Sequence, residues 1–528
     1  MNIIGIPINL LRPLSFAVFF HSGIPYKKML KIIRIALLSF FLFSLPLASW
    51  SKESVRIIYV NNVRGNNDTG DGSAEKPFSS IMRGVKELRP GILLNVANTG
   101  TDYHETIKIS AAGTVEEPIV IDGNGAVNSG MMRRPLQDWK SETGGVFSIK
   151  LPNNAWGMQN HWEGGFELVR FAGKPGRNVT SREALEPFTY FLYKNQKKLK
   201  TDPLHDTLFI RLPEGKTPDN TEVRTISILS PFCVVASNVT VRNFISEYAG
   251  DDGFSSVKPA VNIQFENVEG RYNMDQGMSH HGSGVVVRRS HFHHNAGCGV
   301  VDVYPEARTR YEDCLIEYDT WRGGVEFHRG NFEMVNCVIR GNPRWALSVN
   351  KGAQVRLQNC LLTGQGQNTA FGVKLDEGNL TMENCTLYNF KTGLYISRLS
   401  EDSHVSIRNC AFLKCQINWD LNLTAPQGDS SINLSKVINS DGNAFESFPF
   451  LLSEKNKIEG RGQDKKTSFS ATEWDVFRKK SGSDANSLII NGLTYDKDMP
   501  LTLPELAGRG GDGTDIGARL LNTKKETK

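Results

Sequence analysis

Five short phrases decide how this chain folds: Asp313-Cys314-Leu315-Ile316, Asn336-Cys337-Val338-Ile339, Asn359-Cys360-Leu361-Leu362, Asn384-Cys385-Thr386-Leu387 and Asn409-Cys410-Ala411-Phe412. Their cysteines stand at a nearly constant step. Weaker copies run backward through Arg289-Ser290-His291-Phe292, Asn267-Val268 and Asn243-Phe244-Ile245. Ahead of the phrases stand short alternating stretches such as Val239/Val241, Ile263/Phe265, Val285/Val287, Val355/Leu357, Leu380/Met382 and Val405/Ile407, the period-2 pattern of a strand. Short strands repeating at this step without helical periodicity predict a parallel β-solenoid, with rungs about 4.8 Å apart. Leucine-rich repeats have a similar period but need a Leu/Asn consensus that is absent here.

Stacked rungs put each cysteine above the last, as a ladder of small apolar side chains beside a ladder of Asn amides at a bend. Neighbours in parallel strands hold parallel Cβ vectors, which suits the disulfide torsion poorly. The cysteines are therefore expected to be reduced and structural. Composition agrees with a globular chain: 528 residues, 39% hydrophobic and 22% charged, exclude both disorder and a membrane bundle. The length exceeds one compact domain and suits an elongated repeat.

The net charge of +5 is concentrated at one end. Arg12, Lys27, Lys28, Lys31 and Arg34 precede residue 52 and no acid does, so beyond that point bases and acids balance. A neutral chain without a basic block gives no case for nucleic acid as a partner. The apolar run Ile35 to Trp50, preceded by bases and ending in small residues, reads as a signal peptide over 1–51, with Met29 as an alternative start. The mature chain is expected to be exported: periplasmic, cell-surface or secreted, with no membrane partner beyond that segment. The remainder divides into an N-terminal cap and first coils (52–130), an inserted antiparallel β module (131–225), the main coils (226–420), and C-terminal coils with a cap (421–528). Ser79 is placed to N-cap a short helix, and Thr472 to Lys480 reads as a second; both would cover exposed strand edges.

The repeat resembles the right-handed parallel β-helix family of extracellular polysaccharide-active proteins, the pectate-lyase-like fold that includes β-helix glycoside hydrolases. Tyr59-Val60-Asn61, Gly70-Asp71-Gly72-Ser73 and Lys76-Pro77-Phe78 are similar to the opening of many carbohydrate-degrading members. Asp512-Gly513-Thr514-Asp515-Ile516-Gly517-Ala518 is similar to their closing motif. The resemblance implies an all-β right-handed β-helix acting on a polysaccharide or oligosaccharide. Inserted modules in such enzymes can wall one side of a cleft.

In a solenoid, function is read by aligning rungs. Met278-Ser279-His280-His281, Val301-Asp302-Val303-Tyr304, Val325-Glu326-Phe327-His328, Leu347-Ser348-Val349-Asn350 and Val373-Lys374-Leu375-Asp376 align with mostly apolar first and third positions. The second and fourth are then expected to face outward. That predicts one column of Ser279, Asp302, Glu326, Ser348 and Lys374 beside another of His281, Tyr304, His328, Asn350 and Asp376. Asp302 and Glu326 would be neighbours at the separation a retaining glycosidase needs, one carboxylate attacking and the other donating a proton. His281, Tyr304, His328, Asn350, Lys374 and Asp376 would contact substrate. Trp321 and Trp345, one repeat step apart, would stack on sugar rings, with Arg322 and Arg344 suited to an acidic sugar.

Three readings stay open: a glycoside hydrolase; a lyase or epimerase using His281, Tyr304, His328, Arg329, Lys351 or Lys374 against a uronate; and a non-catalytic glycan-binding or structural protein. No cofactor is required by the hydrolase reading. Asp251-Asp252-Gly253 offers calcium oxygen ligands but also reads as a turn. His291-Phe292-His293-His294 has no carboxylate or cysteine fixed beside it by sequence, and reads as turn and surface histidines rather than a metal site.

Overall fold

The computed structural model describes residues 56–151, 167–193, 207–399, 402–422, 434–446, 449–455, 464–470, 473–490, 506–510 and 513–519. The expected signal segment lies outside them. No helix among the described residues is long and apolar enough to cross a membrane.

The bend residues of the repeat set the architecture. Asn243, Asn267, Asn336, Asn359, Asn384 and Asn409 all have positive φ, between 50° and 56°. Most L-residues pay about 1–2 kcal/mol for that conformation, and Asn is among the few that visit it routinely. Their amides link successive rungs: Asn267 Nδ2 donates to Asn243 Oδ1 at 2.8 Å, and Asn359 Nδ2 to Asn336 Oδ1 at 2.7 Å. After each bend the phrase continues as a short strand of its own, so a rung has three strands. Sheet I contains Ile263–Glu266, Gly284–Arg288 and Arg308–Glu312; sheet II contains Glu269–Arg271, His291–His293, Leu315–Glu317 and Val338–Arg340; sheet III contains Phe254–Val257, Met278–His281 and Cys298–Val303. Each pairs in parallel with its counterpart one rung on, giving a parallel solenoid of about 12 turns.

Between sheets II and III a second ladder holds the turn. Asn273, Asn295, Asp319 and Asn342 are buried. The backbone N–H of each of the first three donates to the side-chain oxygen one rung on, at 3.1 Å from Asn273, 2.9 Å from Asn295 and 3.0 Å from Asp319. Inside, the five repeat cysteines are buried and all eight cysteines are free thiols. Each repeat Sγ donates to the carbonyl two residues earlier, as Cys337 does to Val335 at 3.4 Å. Aromatic rings fill the wider layers, with Phe232, Phe254, Phe327, Phe412 and Trp419 fully buried.

The first helix, Ile81–Val85, is capped by Ser80 rather than Ser79; the Ser80 side chain accepts from Arg83 N. Glu105 accepts from the N–H groups of Ile81 and Met82 at 2.7 and 2.8 Å, satisfying donors that a helix start leaves open. The helix Trp474–Ser481 ends at Gly482, φ 65°. The closing motif docks on the Asn bend: Asn384 Nδ2 donates to Asp515 O, Asn359 Nδ2 to Arg519 O, and Gly517 N to Asn409 O.

The inserted module comprises two small sheets. One contains Met131–Arg133, Val223–Ile226, Val169–Phe171 and Lys174–Pro175; the other contains Lys140–Ser141, Val146–Lys150, Arg177–Asn178, Thr189–Tyr193 and Thr207–Arg211. Most of their pairings are antiparallel, though Arg177–Asn178 pairs with Thr189–Tyr193 in parallel. Tyr248 and Met274 of the solenoid share its core with Met131, Trp139 and Tyr190. The module thus packs beside the turn that leads into sheet III.

Candidate functional site

The register of sheet III decides which side chains reach solvent. Ser279 pairs with Val301, Val301 with Glu326, Glu326 with Ser348 and Ser348 with Lys374. The adjacent inward column pairs Ser256 with His280, His280 with Asp302 and Asp302 with Phe327. Asp302 therefore points into the solenoid at 0% exposure, and the expected outward pair with Glu326 does not form. The rungs here are unequal: the step from Met278 to Val300 is shorter than the step from Val300 to Val325, and the difference shifts Asp302 by one place.

A one-residue slip turns every side chain to the opposite face. Val300, Val301 and Val303 supply an apolar face in either register, so they do not choose between them. The interior does: His280 N and Tyr311 Oη each donate to Asp302 at 3.0 Å, satisfying the buried carboxyl. Burial still pushes its pKa up to about 7, against those bonds. The same burial pulls His280 down to about 3.

Two predicted residues do meet. His281 and Tyr304 lie with ring centroids 6.1 Å apart, beside a concavity of about 270 Å³ that also contains Asp251, Asp252 and Lys258. Tyr304 lies past the strand end with φ 84° and is 42% exposed. Lys258 Nζ sits 5.0 Å over its ring and pairs with Glu306 at 3.0 Å. His281 Nε2 is 3.0 Å from Ser279 Oγ and 3.9 Å from Asp252 Oδ2. Burial lowers the His281 pKa, against the pull of Asp302, Asp251 and Asp275.

Asp251, Asp252 and Asp275 each bring one carboxylate oxygen within 4.8 Å of the others. Asp251 is held by its N–H to Leu229 O at the module exit (2.9 Å), and Asp275 by its N–H to Asp251 O at 3.2 Å. Gly253 completes the turn, since a Cβ there would meet Asn273 Nδ2 at 2.6 Å. Burial, and then the neighbouring Asp275, raise the Asp252 pKa well above the usual carboxylate range. Asp252 Oδ1 is buried with no hydrogen-bond partner. An all-oxygen set with one orphaned buried oxygen fits a hard divalent cation of the calcium class. Sequence reasoning missed Asp275. The signal was present in Asp251-Asp252-Gly253-Phe254 and Asp275-Gln276-Gly277-Met278, whose strands pair Phe254 with Met278.

Further along the same face stands a second group. Glu326 Oε1 lies 2.6 Å from His328 Nε2, and Oε2 lies 3.8 Å from Arg322 Nη1. Burial alone would raise this carboxyl, but the His328 bond, with Arg322 and Lys374, outweighs it and holds the pKa below the ordinary value. Asn350 Nδ2 lies 3.4 Å from His328 Nε2.

The two tryptophans are not in register, because Trp345 pairs with Gly323. The Trp321 ring instead has the guanidiniums of Arg322 and Arg344 at 5.1 and 5.2 Å, and Trp345 has Lys374 Nζ at 5.3 Å. Asp376 is engaged by two 2.6 Å bonds from Arg398. Lys351 pairs with Glu377 at 2.6 Å, and Arg329 occupies an exposed bend at φ 56°. A larger concavity of about 630 Å³ lies on sheet I, where Arg310 pairs with Glu333 and Arg356 with Glu383.

On sheet II the histidines are not without carboxylates. Glu269 pairs with His291 along the ladder, and Glu317 with His293.

A family model described as the right-handed beta helix region matches residues 233–362 and 278–447. The solenoid is a right-handed β-helix. Among curated proteins none matches the sequence. Solved structures similar to this β-helix include XylC in complex with xylose, at 12% identity over 74% of this chain and 83% of that one, TM-score 0.47. Pectate lyase Pel9A is similar at 14% identity over 88% and 95%, TM-score 0.46. A GH136 lacto-N-biosidase from Eubacterium ramulus is similar at 10% identity over 80% and 63%, TM-score 0.27. At these identities the likeness is one of fold.

Proposed function

We propose that this β-helix is an exported carbohydrate-processing enzyme whose active centre is the concavity formed by Asp251, Asp252, Asp275, His281 and Tyr304, and that it cleaves a uronate-containing glycan by β-elimination. The observation that carries this reading is the acidic triad beside His281, whose Nε2 lies 3.9 Å from Asp252 Oδ2, with Asp252 Oδ1 buried and unpartnered. With Asp302 inside the solenoid, the carboxylate pair expected for double displacement is not available.

Asp251, Asp252 and Asp275 would hold a calcium-class cation, which supplies charge neutralisation for a substrate carboxylate. His281 is kept unprotonated by burial and so can take a proton from the carbon α to that carboxylate. The electron pair left behind forms the C–C double bond as the glycosidic C–O bond breaks. Tyr304 would donate its phenolic proton to the departing sugar oxygen, to be restored from His281 or solvent after the products leave. Glu326, His328, Asn350 and Lys374 continue the polar face where further sugar units would lie.

A second reading is favoured by the rise that burial and Asp275 give the Asp252 pKa. A carboxyl of raised pKa beside a second carboxyl is also the equipment of a glycoside hydrolase. The test is to incubate the full chain with a panel of neutral and uronate-containing polysaccharides. Elimination yields an ultraviolet-absorbing unsaturated end, lost in Asp275→Asn and His281→Ala and on chelation. New reducing ends without that absorbance would overturn elimination in favour of hydrolysis. Saturable binding without either product would place the chain among non-catalytic glycan binders.

A further inference from the structure

On sheet II, Glu269, His291 and His293 each offer one ligand atom, all within 4.8 Å of one another. The geometry points to a binding site for a single zinc-class divalent cation, distinct from the acidic triad.

The donor set argues for the metal class. Two imidazoles and one carboxylate suit zinc, cobalt or nickel, whereas calcium prefers all-oxygen cages. Zinc needs its ligand atoms about 2 Å from the metal, so the three close in by side-chain rotation on a fixed ladder. His291 and His293 already lie close, with ring centroids 4.1 Å apart and 30° between planes.

The surrounding groups orient the ligands as outer partners of metal-bound histidines do. His293 Nε2 faces Glu269 Oε1 at 3.0 Å, while its Nδ1 lies 2.7 Å from His294 Nδ1. Only one of those two Nδ1 atoms can carry the shared proton. With Glu269 as acceptor His293 donates from Nε2 and accepts from His294 at Nδ1; on metal binding the tautomer reverses, His293 donating from Nδ1 to His294 and presenting the Nε2 lone pair. Glu317 Oε1 holds His291 Nε2 at 2.9 Å and is itself engaged by Arg340.

Arg271 is the competitor for Glu269, with bonds of 2.7 Å to Glu269 and 2.8 Å to Glu247. Releasing Glu269 to a cation leaves Arg271 paired with Glu247. Glu269 and His291 are partly exposed and His293 is buried, so three protein ligands would leave a fourth tetrahedral position for water. Glu269 lies one rung before His291 and His293, so the cation would also tie two rungs together.

The test uses the full chain, stripped with a chelator and titrated with Zn²⁺ by calorimetry. One equivalent should bind, undisplaced by excess Ca²⁺, and Co²⁺ should give a visible d–d band. Glu317→Gln should weaken binding about 10- to 100-fold. His291→Gln should abolish it, and as a partly exposed side chain it should leave the circular dichroism spectrum unchanged. Asp275→Asn should leave zinc uptake unaltered, which separates this site from the proposed active centre. Absence of saturable Zn²⁺ uptake, or uptake undiminished in folded His291→Gln, would overturn the proposal.

Discussion

Tyr311 Oη donates a 3.0 Å hydrogen bond to Oδ2 of Asp302 inside the solenoid, across the interior from sheet I to sheet III. Beside it His280 Nδ1 lies 2.7 Å from Ser256 Oγ, which also contacts Ser283 Oγ at 2.5 Å. An apolar core therefore contains a connected polar network. Such networks are costly unless their members find partners, and here they fix one register of one rung.

This network predicts a cancelling pH dependence. Asp302 rises from 3.8 to about 7 on folding, so its contribution to stability is lost as pH climbs through that window. His280 falls from 6.5 to about 3, so its contribution is lost as pH drops from 6.5 toward 3. In the shared window the slopes oppose. Asp302→Asn should leave only the histidine slope, with stability rising by about 1.4 kcal/mol per pH unit up to about pH 6.5. Urea unfolding at a series of pH values tests this, and an unchanged slope would count against a buried Asp302.

At Glu326 the expectation has the opposite sign. Burial works to raise its carboxyl, but the His328 bond outweighs it and holds the pKa low, so its contribution to stability is lost as pH falls through the carboxylate range. His328→Ala should raise the Glu326 pKa and flatten that acid-side loss, because less stabilisation remains to be lost. Carboxyl ¹³C titration reads the shift directly; a downward or null shift would refute the assignment.

The cysteine ladder predicts selective reactivity. Seven of the eight thiols are buried, and Cys233 is intermediate. Burial raises the pKa of Cys314, Cys337, Cys360 and Cys385 well above the usual thiol range, so little thiolate is available. A colorimetric thiol assay should detect Cys233 alone in the native chain and all eight thiols in denaturant. Rapid native reaction of more than one would mean that the ladder is open.

Asn359 does two jobs at once, donating to both Asn336 Oδ1 (2.7 Å) and Arg519 O (2.9 Å) from a positive-φ bend. Asn359→Ala loses both bonds, together with the one its Oδ1 accepts from Arg519 N, and keeps an unfavourable backbone. The cost should be about 2–4 kcal/mol by denaturant titration. Amide exchange should accelerate at Gly517 to Arg519; unchanged protection there would remove the docking role.

Much of the fold was legible because the repeat is written in residue type. Asn at the bend, Cys behind it and alternating apolar residues ahead each have one good place in a stacked rung. The Asn273–Asn295–Asp319–Asn342 ladder was harder to read, because it mixes Asn with Asp and its spacing drifts with turn length. His281 and Tyr304 were found and do meet. Asp275 was overlooked because a lone Asp near a Gly looks like any turn until a neighbouring rung repeats it.

The primary structure alone determined that this chain stacks short parallel strands and keeps its thiols reduced, since those follow from local preference summed over many rungs. Tertiary structure alone decided which face Asp302 takes and which acids assemble around His281. A run of valines satisfies either register, and the choice passes to partners far apart in sequence: Tyr311 across the interior, His280 one rung before, and the module that brings Leu229 against Asp251.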